Sequence, residues 1–527
     1  MRYSVPRENR RCASWPEVAA IPALLEGNLE SGDPENAGVL DLSWNEFRRV
    51  CRRAASQAAG LYAGEVGGAG SFPPEGPVVA TGHQPELYHA GVWIKNHLAS
   101  RLGAARGAAS VNLVVDNDTP KHTGLVCPAH QDGAWRRAEV PLVSPAAELP
   151  FEEYPSRVER PEEFREKVRR IAQGTPFEQQ AEEFLERLAR LDGTGRSLGD
   201  LNTAVRLEYD REAGVSNAEV PLSRLSETAE FGAFAASVLL DAEAFAGVYN
   251  RALADYRREN RIRNAANPLP DLRTDGEAVE APFWVWREGG TRRALFVRPE
   301  GARVRLFEGD EEAGVLDCGG FDALAASWRE LRETGVKIRP RAITNTVFAR
   351  LFLSDLFVHG IGGAKYDEVT DRLIRSYYSL EPPAYCAITA TLTIPWEREP
   401  VDPGLPGRLK NDLRDLVYNP QRHLGGDERD GKAERLIEEK WRLVEEAPGT
   451  RRGRREKFLR IREINGELAG RIEEPRERKE RGLREARQRL AEDEVLFDRE
   501  YPFFLVGARR AAQVYDEALS ALPAAPG

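Results

Sequence analysis

Residues 77–118, PVVATGHQPELYHAGVWIKNHLASRLGAARGAASVNLVVDND, decide the fold. Residues 77–80 form a short apolar run with the β-branched content of a buried strand, and they meet the polar turn Thr81-Gly82-His83-Gln84. The spacing then predicts an amphipathic helix over 91–102 and a second strand over 111–115, ending in Asp116-Asn117-Asp118. Strand, turn, helix and strand make one parallel crossover unit. In open parallel sheets ligands bind beyond the carboxyl ends of the strands. The turns carrying His83, Gln84, His89, Asp116 and Asp118 are therefore expected to share one crevice, the candidate active site.

Outward from this unit, residues 1–76 read as a helical lead-in, with a helix over 44–59 and a Gly- and Pro-rich linker over 64–76. Residues 134–142 suit one more strand. From 161 the pattern changes to charged amphipathic helices, and 222–263 is mostly helical. Residues 282–317 switch to period two, an antiparallel meander turning at Gly289-Gly290 and Glu300-Gly301, followed by a helix over 322–334. The chain then returns to the core through a buried helix (343–356), Phe357-Val358-His359, a glycine turn, a helix over 364–377 and a strand over 384–395. Residues 403–499 suggest two long helices, 433–446 and 452–497, forming a hairpin or coiled coil kinked at Pro475. An apolar tail follows that can pack back on the body.

The expected domains are 1–160 (lead-in and first half of the core), 161–280 (helical insertion), 281–335 (small β insertion), 336–400 (second half of the core) and 401–527 (helical hairpin or coiled coil, and tail). A chain of 527 residues has material for more than one domain. Net charge is −10 with both signs interspersed, which points to no nucleic-acid or membrane surface. The five cysteines are scattered and form no C-x-x-C pair, so neither a disulfide framework nor a structural zinc site is expected. With no apolar run of bilayer length or signal-peptide type, the expected location is the cytoplasm.

His83 at the mouth of a strand and His89 at the start of a helix can donate hydrogen bonds to a phosphate or an oxyanion; the alternative is that they are turn and cap residues. Their spacing approaches the HxGH signature of nucleotidyltransferases, with Val92 in place of the final His. His97, inside the helix, reads as structural. Asp116 and Asp118 could grip a metal, a ribose or an amine, or cap a helix, with Lys121 and His122 as further candidates. No metal ligand set is assigned. The 360–365 loop, with Gly362, Gly363 and Lys365, is either an anion cradle at a helix N-terminus or a tight helix entry. It lacks the Gly-Lys-Ser/Thr of a P-loop. Asn345, Arg350 and Asp355 lie in so apolar a setting that some must be buried with partners, and Cys386 reads as a core residue.

Taken together these residues resemble the cysteine-adding enzymes of bacillithiol biosynthesis (BshC). The family's T-G-Q-Q-x-G-L-F is similar to Thr81-Gly82-His83-Gln84-Pro85-Glu86-Leu87-Tyr88, followed by a Lys-containing helix with Lys95. Its S-E-D-H-D resembles Val115-Asp116-Asn117-Asp118, and its L-R-P and G-G segments resemble Ile338-Arg339-Pro340 and Gly362-Gly363. His83 stands where the family has Gln, Glu86 where it has Gly, and GGAKYDE where it reads more like GGxxEIAYW. The β insert and the helical C-terminal region come in the same order.

The resemblance implies a Rossmann-like core of the class I aminoacyl-tRNA synthetase kind, with connecting-peptide insertions and a C-terminal coiled coil joining a homodimer. The implied reaction joins cysteine to the amine of glucosaminyl-malate with an adenine nucleotide, ATP or another. Thr81, Gly82, Gly91, Lys95, Gly362, Gly363 and Lys365 would bind the cofactor, and His83, Gln84, His89, Asp116 and Asp118 would do the chemistry. The alternatives are an HxGH-like nucleotidyltransferase acting on another small acceptor and a dimeric scaffold without catalysis.

Overall fold

The structure, a computed structural model, describes residues 3–523 apart from 32, 33, 35 and 36. The chain forms two compact units: the first holds Met1–Ala129, Arg137–Pro395 and Arg499–Gly527, the second His130–Arg136 and Trp396–Asp498.

Unit 1 is built on a mostly parallel six-stranded sheet. The chain enters through β1 (Arg11–Trp15), crosses α1 (Trp44–Val66), and runs β2 (Val78–His83), α2 (Ala90–Arg106) and β3 (Ala109–Val114). The helix α3 (Leu198–Glu212) and the short strand β4 (Ala218–Pro221) follow. A second sheet comes next: β5 (Ala278–Arg287), β6 (Arg293–Glu300), β7 (Arg303–Glu308), β8 (Glu311–Asp317) and β9 (Val336–Pro340), antiparallel throughout in the order β8-β7-β6-β5-β9. The chain then returns to the first sheet as β10 (Leu356–His359), α4 (Ile361–Leu373) and β11 (Tyr385–Thr391).

The order across the first sheet is β1-β11-β10-β2-β3-β4, with only β1 antiparallel. The step from β2 to β3 goes one way and the step from β10 to β11 goes the other. Strand order therefore reverses between β2 and β10, and the carboxyl ends of strands at such a reversal are where open parallel sheets bind ligands. Val78, Val79, Ala80 and Thr81 are all buried, as expected of a strand covered on both faces.

Two polar devices fix this arrangement. Asp355, just ahead of β10 and 4% exposed, receives Arg48 at 2.6 Å, Arg52 at 2.8 Å and the Val78 backbone N–H at 2.8 Å, which ties α1 to the starts of β2 and β10. Thr81 donates its hydroxyl to the Val358 carbonyl at 2.9 Å, joining residues 277 apart in sequence. On the other edge, Glu219 of β4 receives Asn112 of β3 at 2.7 Å and Arg206 of α3 at 2.6 Å, while Trp93 of α2 donates to Asp210 at 2.5 Å.

Three expectations are corrected. Residues 1–76 are not only a helical lead-in, because β1 pairs with β11; its half-exposed side chains gave no apolar pattern. Residues 161–280 are not only a helical insertion, because they supply β4, four residues whose place depends on the buried Arg206–Glu219 pair. Residues 403–499 form four helices rather than two: α5 (Leu405–Tyr418), α6 (Gly431–Glu445), α7 (Arg451–Ala469) and α8 (Glu473–Leu496). The break falls at 470–472, upstream of Pro475, which sits in the first turn of α8 where a missing N–H costs nothing. Within unit 2 these helices share a core of Leu416, Ala433, Leu436, Ile437, Ile464, Leu468 and Ile472.

The tail after residue 499 belongs to unit 1 rather than with the preceding helices. Phe503 stacks on Trp93 at 4.1 Å between ring centroids, and α9 (Ala508–Ala518) lies against α2. No single helix among the described residues is long and apolar enough to cross a membrane.

Replacing Asp355 by Ala leaves Arg48 and Arg52 facing a lost carboxylate. The expected cost is about 3–5 kcal/mol, read as a lower urea midpoint for unit 1.

Candidate functional site

Lys95 lies on α2 where it passes the switch between β2 and β10. Its Nζ donates to the Gly82 carbonyl at 2.6 Å, its only hydrogen bond among the described residues, and the residue is 2% exposed. Its Cδ is 3.8 Å from where a Cβ on Gly360, at the end of β10, would stand. With no carboxylate beside it, burial pushes the ammonium down to about 7. An amine that is partly neutral at neutral pH, at the rim of a parallel sheet, fits acid–base work.

His83 is the last residue of β2. Its Nδ1 lies 3.0 Å from the Gln84 carbonyl. A carbonyl only accepts, so Nδ1 carries the proton and Nε2 presents a lone pair. Burial, and then the charge of Lys95, push the imidazolium down to about 3, so the ring is neutral. This corrects the expected role: His83 presents a hydrogen-bond acceptor at Nε2, and no N–H, to a ligand.

His89 has the opposite tautomer. Its Nδ1 accepts from the Gly91 N–H at 3.0 Å as the N-cap of α2, so Nε2 carries the proton, 3.5 Å from Glu500. Burial, and then the charge of Arg499, hold it well below the ordinary histidine range. Arg499 approaches both His89 and the Thr389 hydroxyl, the latter at 3.1 Å. A proton donor, a guanidinium and the positive end of α2 thus meet at one corner of the rim, an arrangement suited to an anion.

The acidic turn divides. Asp118 receives Gln84 at 2.8 Å and Arg292, from the β5–β6 connection, at 2.6 Å, so it stays on the rim beside the β2 loop. Asp116 faces β4 instead, where its two oxygens take the backbone N–H and hydroxyl of Ser223. Burial, and then the negative Glu152, push Asp116 up to about 7. Asp116 is therefore corrected from an amine grip in the crevice to a brace for the turn after β4. Beside it lies a cavity of about 750 Å³ lined by charged groups that pair with each other, such as Arg339 with Glu152 at 2.9 Å and Lys337 with Glu153 at 2.5 Å.

The glycines act by what they leave out. A Cβ on Gly91 would stand 2.6 Å from the Ala390 carbonyl, so Gly91 lets α2 approach β11. Gly82 fits 3.1 Å from Leu113 and presents its carbonyl to Lys95. Gly362 and Gly363 lie in the first turn of α4, a helix entry at the end of β10, and Lys365 is exposed. Thr81 bolts β2 to β10, as described above. Lys121 gives its N–H to Glu86 at 3.0 Å, His122 pairs with Glu139 at 2.8 Å, and His97 is buried between the rings of Trp93 and Tyr515.

Sequence reasoning missed one pair. His359, the last residue of β10, has its Nε2 2.7 Å from Asp367 of α4, and Asp367 also receives Arg350 at 2.7 Å. Burial would raise the Asp367 carboxyl, but the charge of Arg350 and the contact with His359 hold it below its ordinary value. The available signal was a His at a strand end followed eight residues later by an Asp on the next helix.

Lys95→Met tests the burial cost. The unfolded lysine keeps its proton up to about 10.5, the folded one only to about 7. Between those values the unfolded state binds more protons, so wild-type stability rises with pH. The variant is expected to be more stable at pH 7 by roughly a few kcal/mol, with the gap closing towards pH 10 in urea denaturation. Compared with known proteins, the chain matches no family model and no curated protein.

Proposed function

We propose that the chain is a nucleotide-dependent ligase that activates a carboxylate and joins it to an amine, of the cysteine-adding type. The observation that carries this reading is the neutral His83 Nε2 beside the partly neutral Lys95 at the strand-order reversal of a parallel sheet. Amide formation in water needs an activated acyl group, and ATP supplies it by forming an acyl-adenylate and releasing pyrophosphate. The corner formed by His89 Nε2–H, Arg499 and the start of α2 suits the phosphate. The lone pair of His83 suits a hydrogen bond from the attacking amine, and Lys95, pushed down to about 7, suits the proton that this amine must lose.

On this reading the six-stranded sheet is a Rossmann-like core of the class I synthetase kind, and the antiparallel sheet is a connecting-peptide insertion. Trp441, Phe458 and Leu459, each about half exposed on α6 and α7, support a homodimer formed through unit 2. The HxGH reading has less behind it, because position 92 is a buried Val.

Purified protein given ATP, cysteine and glucosaminyl-malate is expected to yield the amide with AMP and pyrophosphate. His83→Ala is expected to lower kcat by about 10²–10⁴-fold with the fold retained. No amide from the wild type, or full activity in the variant, contradicts the proposal.

A further inference from the structure

We propose that His359, oriented by Asp367, is a second proton acceptor of the same crevice, a role that rests on the ligase reading above. The chemistry asks for two acceptors. An amine that arrives as an ammonium must lose one proton to become a nucleophile. It loses a second when the tetrahedral adduct collapses to the amide and the carbon–oxygen bond to the nucleotide breaks. Both electron pairs stay on nitrogen, and the leaving phosphate takes the pair from the broken bond. The buried amine of Lys95, held at the Gly82 carbonyl, accounts for one of these protons.

His359 meets the geometric needs for the other. It stands one residue past Val358, which pairs with Thr81, so it is level with Gly82 at the carboxyl end of β10, and by strand alternation its side chain leaves the sheet on the face opposite to that of His83. The hydrogen bond from Nε2 to the Asp367 carboxylate at 2.7 Å puts the proton on Nε2 and leaves the lone pair on Nδ1. Arg350 keeps Asp367 ionised, and Arg350 is itself tied to Asp371 at 2.8 Å. Such a carboxylate–imidazole pair fixes the tautomer and stabilises the imidazolium that forms.

The glycine turn keeps Nδ1 uncovered. A Cβ on Gly363 would stand 2.7 Å from Nδ1, so any other residue would close that edge of the ring. Gly362 has nothing within 4 Å of its own Cβ position, and Gly360 meets only the Lys95 stem. The Gly-Gly pair that reads in the sequence as an anion cradle is, on this account, an opening to an imidazole.

The test compares wild type, His359→Gln, Asp367→Asn and Gly363→Ala for ATP-dependent amide formation, with thermal melting and ¹⁵N NMR of the histidine rings alongside. His359→Gln is expected to lower kcat by about 10²-fold with little change in KM for nucleotide or amine. Asp367→Asn and Gly363→Ala should follow it in part, with the Nε2–H tautomer of His359 lost in Asp367→Asn. A wild type that makes no amide defeats the ligase reading and this inference with it. An active wild type with unchanged kcat in folded His359→Gln defeats this inference alone. If His359→Gln melts early, Gly363→Ala decides: reduced kcat at an unchanged melting temperature supports the role, and unchanged kcat overturns it.

Discussion

The pairing of β2 with β10 is the constraint on which the rest of unit 1 depends. These strands are joined by the Thr81–Val358 hydrogen bond across 277 residues of sequence. Closing so long a loop costs chain entropy before any contact repays it. The Asp355 clamp does much of that repayment, because one buried carboxylate satisfies two guanidinium groups and a strand N–H at once. Once the two strands are neighbours, the opposite senses of β2–β3 and β10–β11 put the reversal of strand order between them.

Two classes of buried polar group follow. Arg206 with Asp210 and Glu219, and Arg350 with Asp367 and Asp371, each set one guanidinium against two carboxylates, and attraction and hydrogen bonds offset part of the cost of burial. Lys95 and His83 are different. Among the described residues each has only a backbone carbonyl to bond, and burial shifts each towards its neutral form. A core built only for stability would place an apolar side chain at position 95. The fold instead carries a costly amine at the carboxyl ends of a parallel sheet, and a perturbed group in such a place marks a candidate site.

Much of this was legible in the sequence, for physical reasons. The crossover unit at 77–118 announced itself because its strands are buried on both faces and its helix is long, and the β5–β8 meander because its period is two. What stayed hidden was set by partners far away. β4 owes its place to Arg206 and Asn112, and β1 pairs at an edge with half-exposed side chains. The candidate site was legible in its residues but not in their roles. His83, His89 and Lys95 were named, yet which nitrogen carries the proton depends on single hydrogen bonds to the Gln84 carbonyl and the Gly91 N–H. Asp116 looked like its neighbour Asp118, and only the position of Ser223 separates them.

The central claim is that ligands enter at the β2–β10 rim. Hydrogen–deuterium exchange of the whole protein, with and without ATP and cysteine, tests it most directly. The account predicts slowed exchange concentrated in residues 82–92 and 358–364, at the ends of β2 and β10 and the starts of α2 and α4. Slowing confined to the charged cavity around Glu152 and Arg339, or to the helices of unit 2, would contradict it.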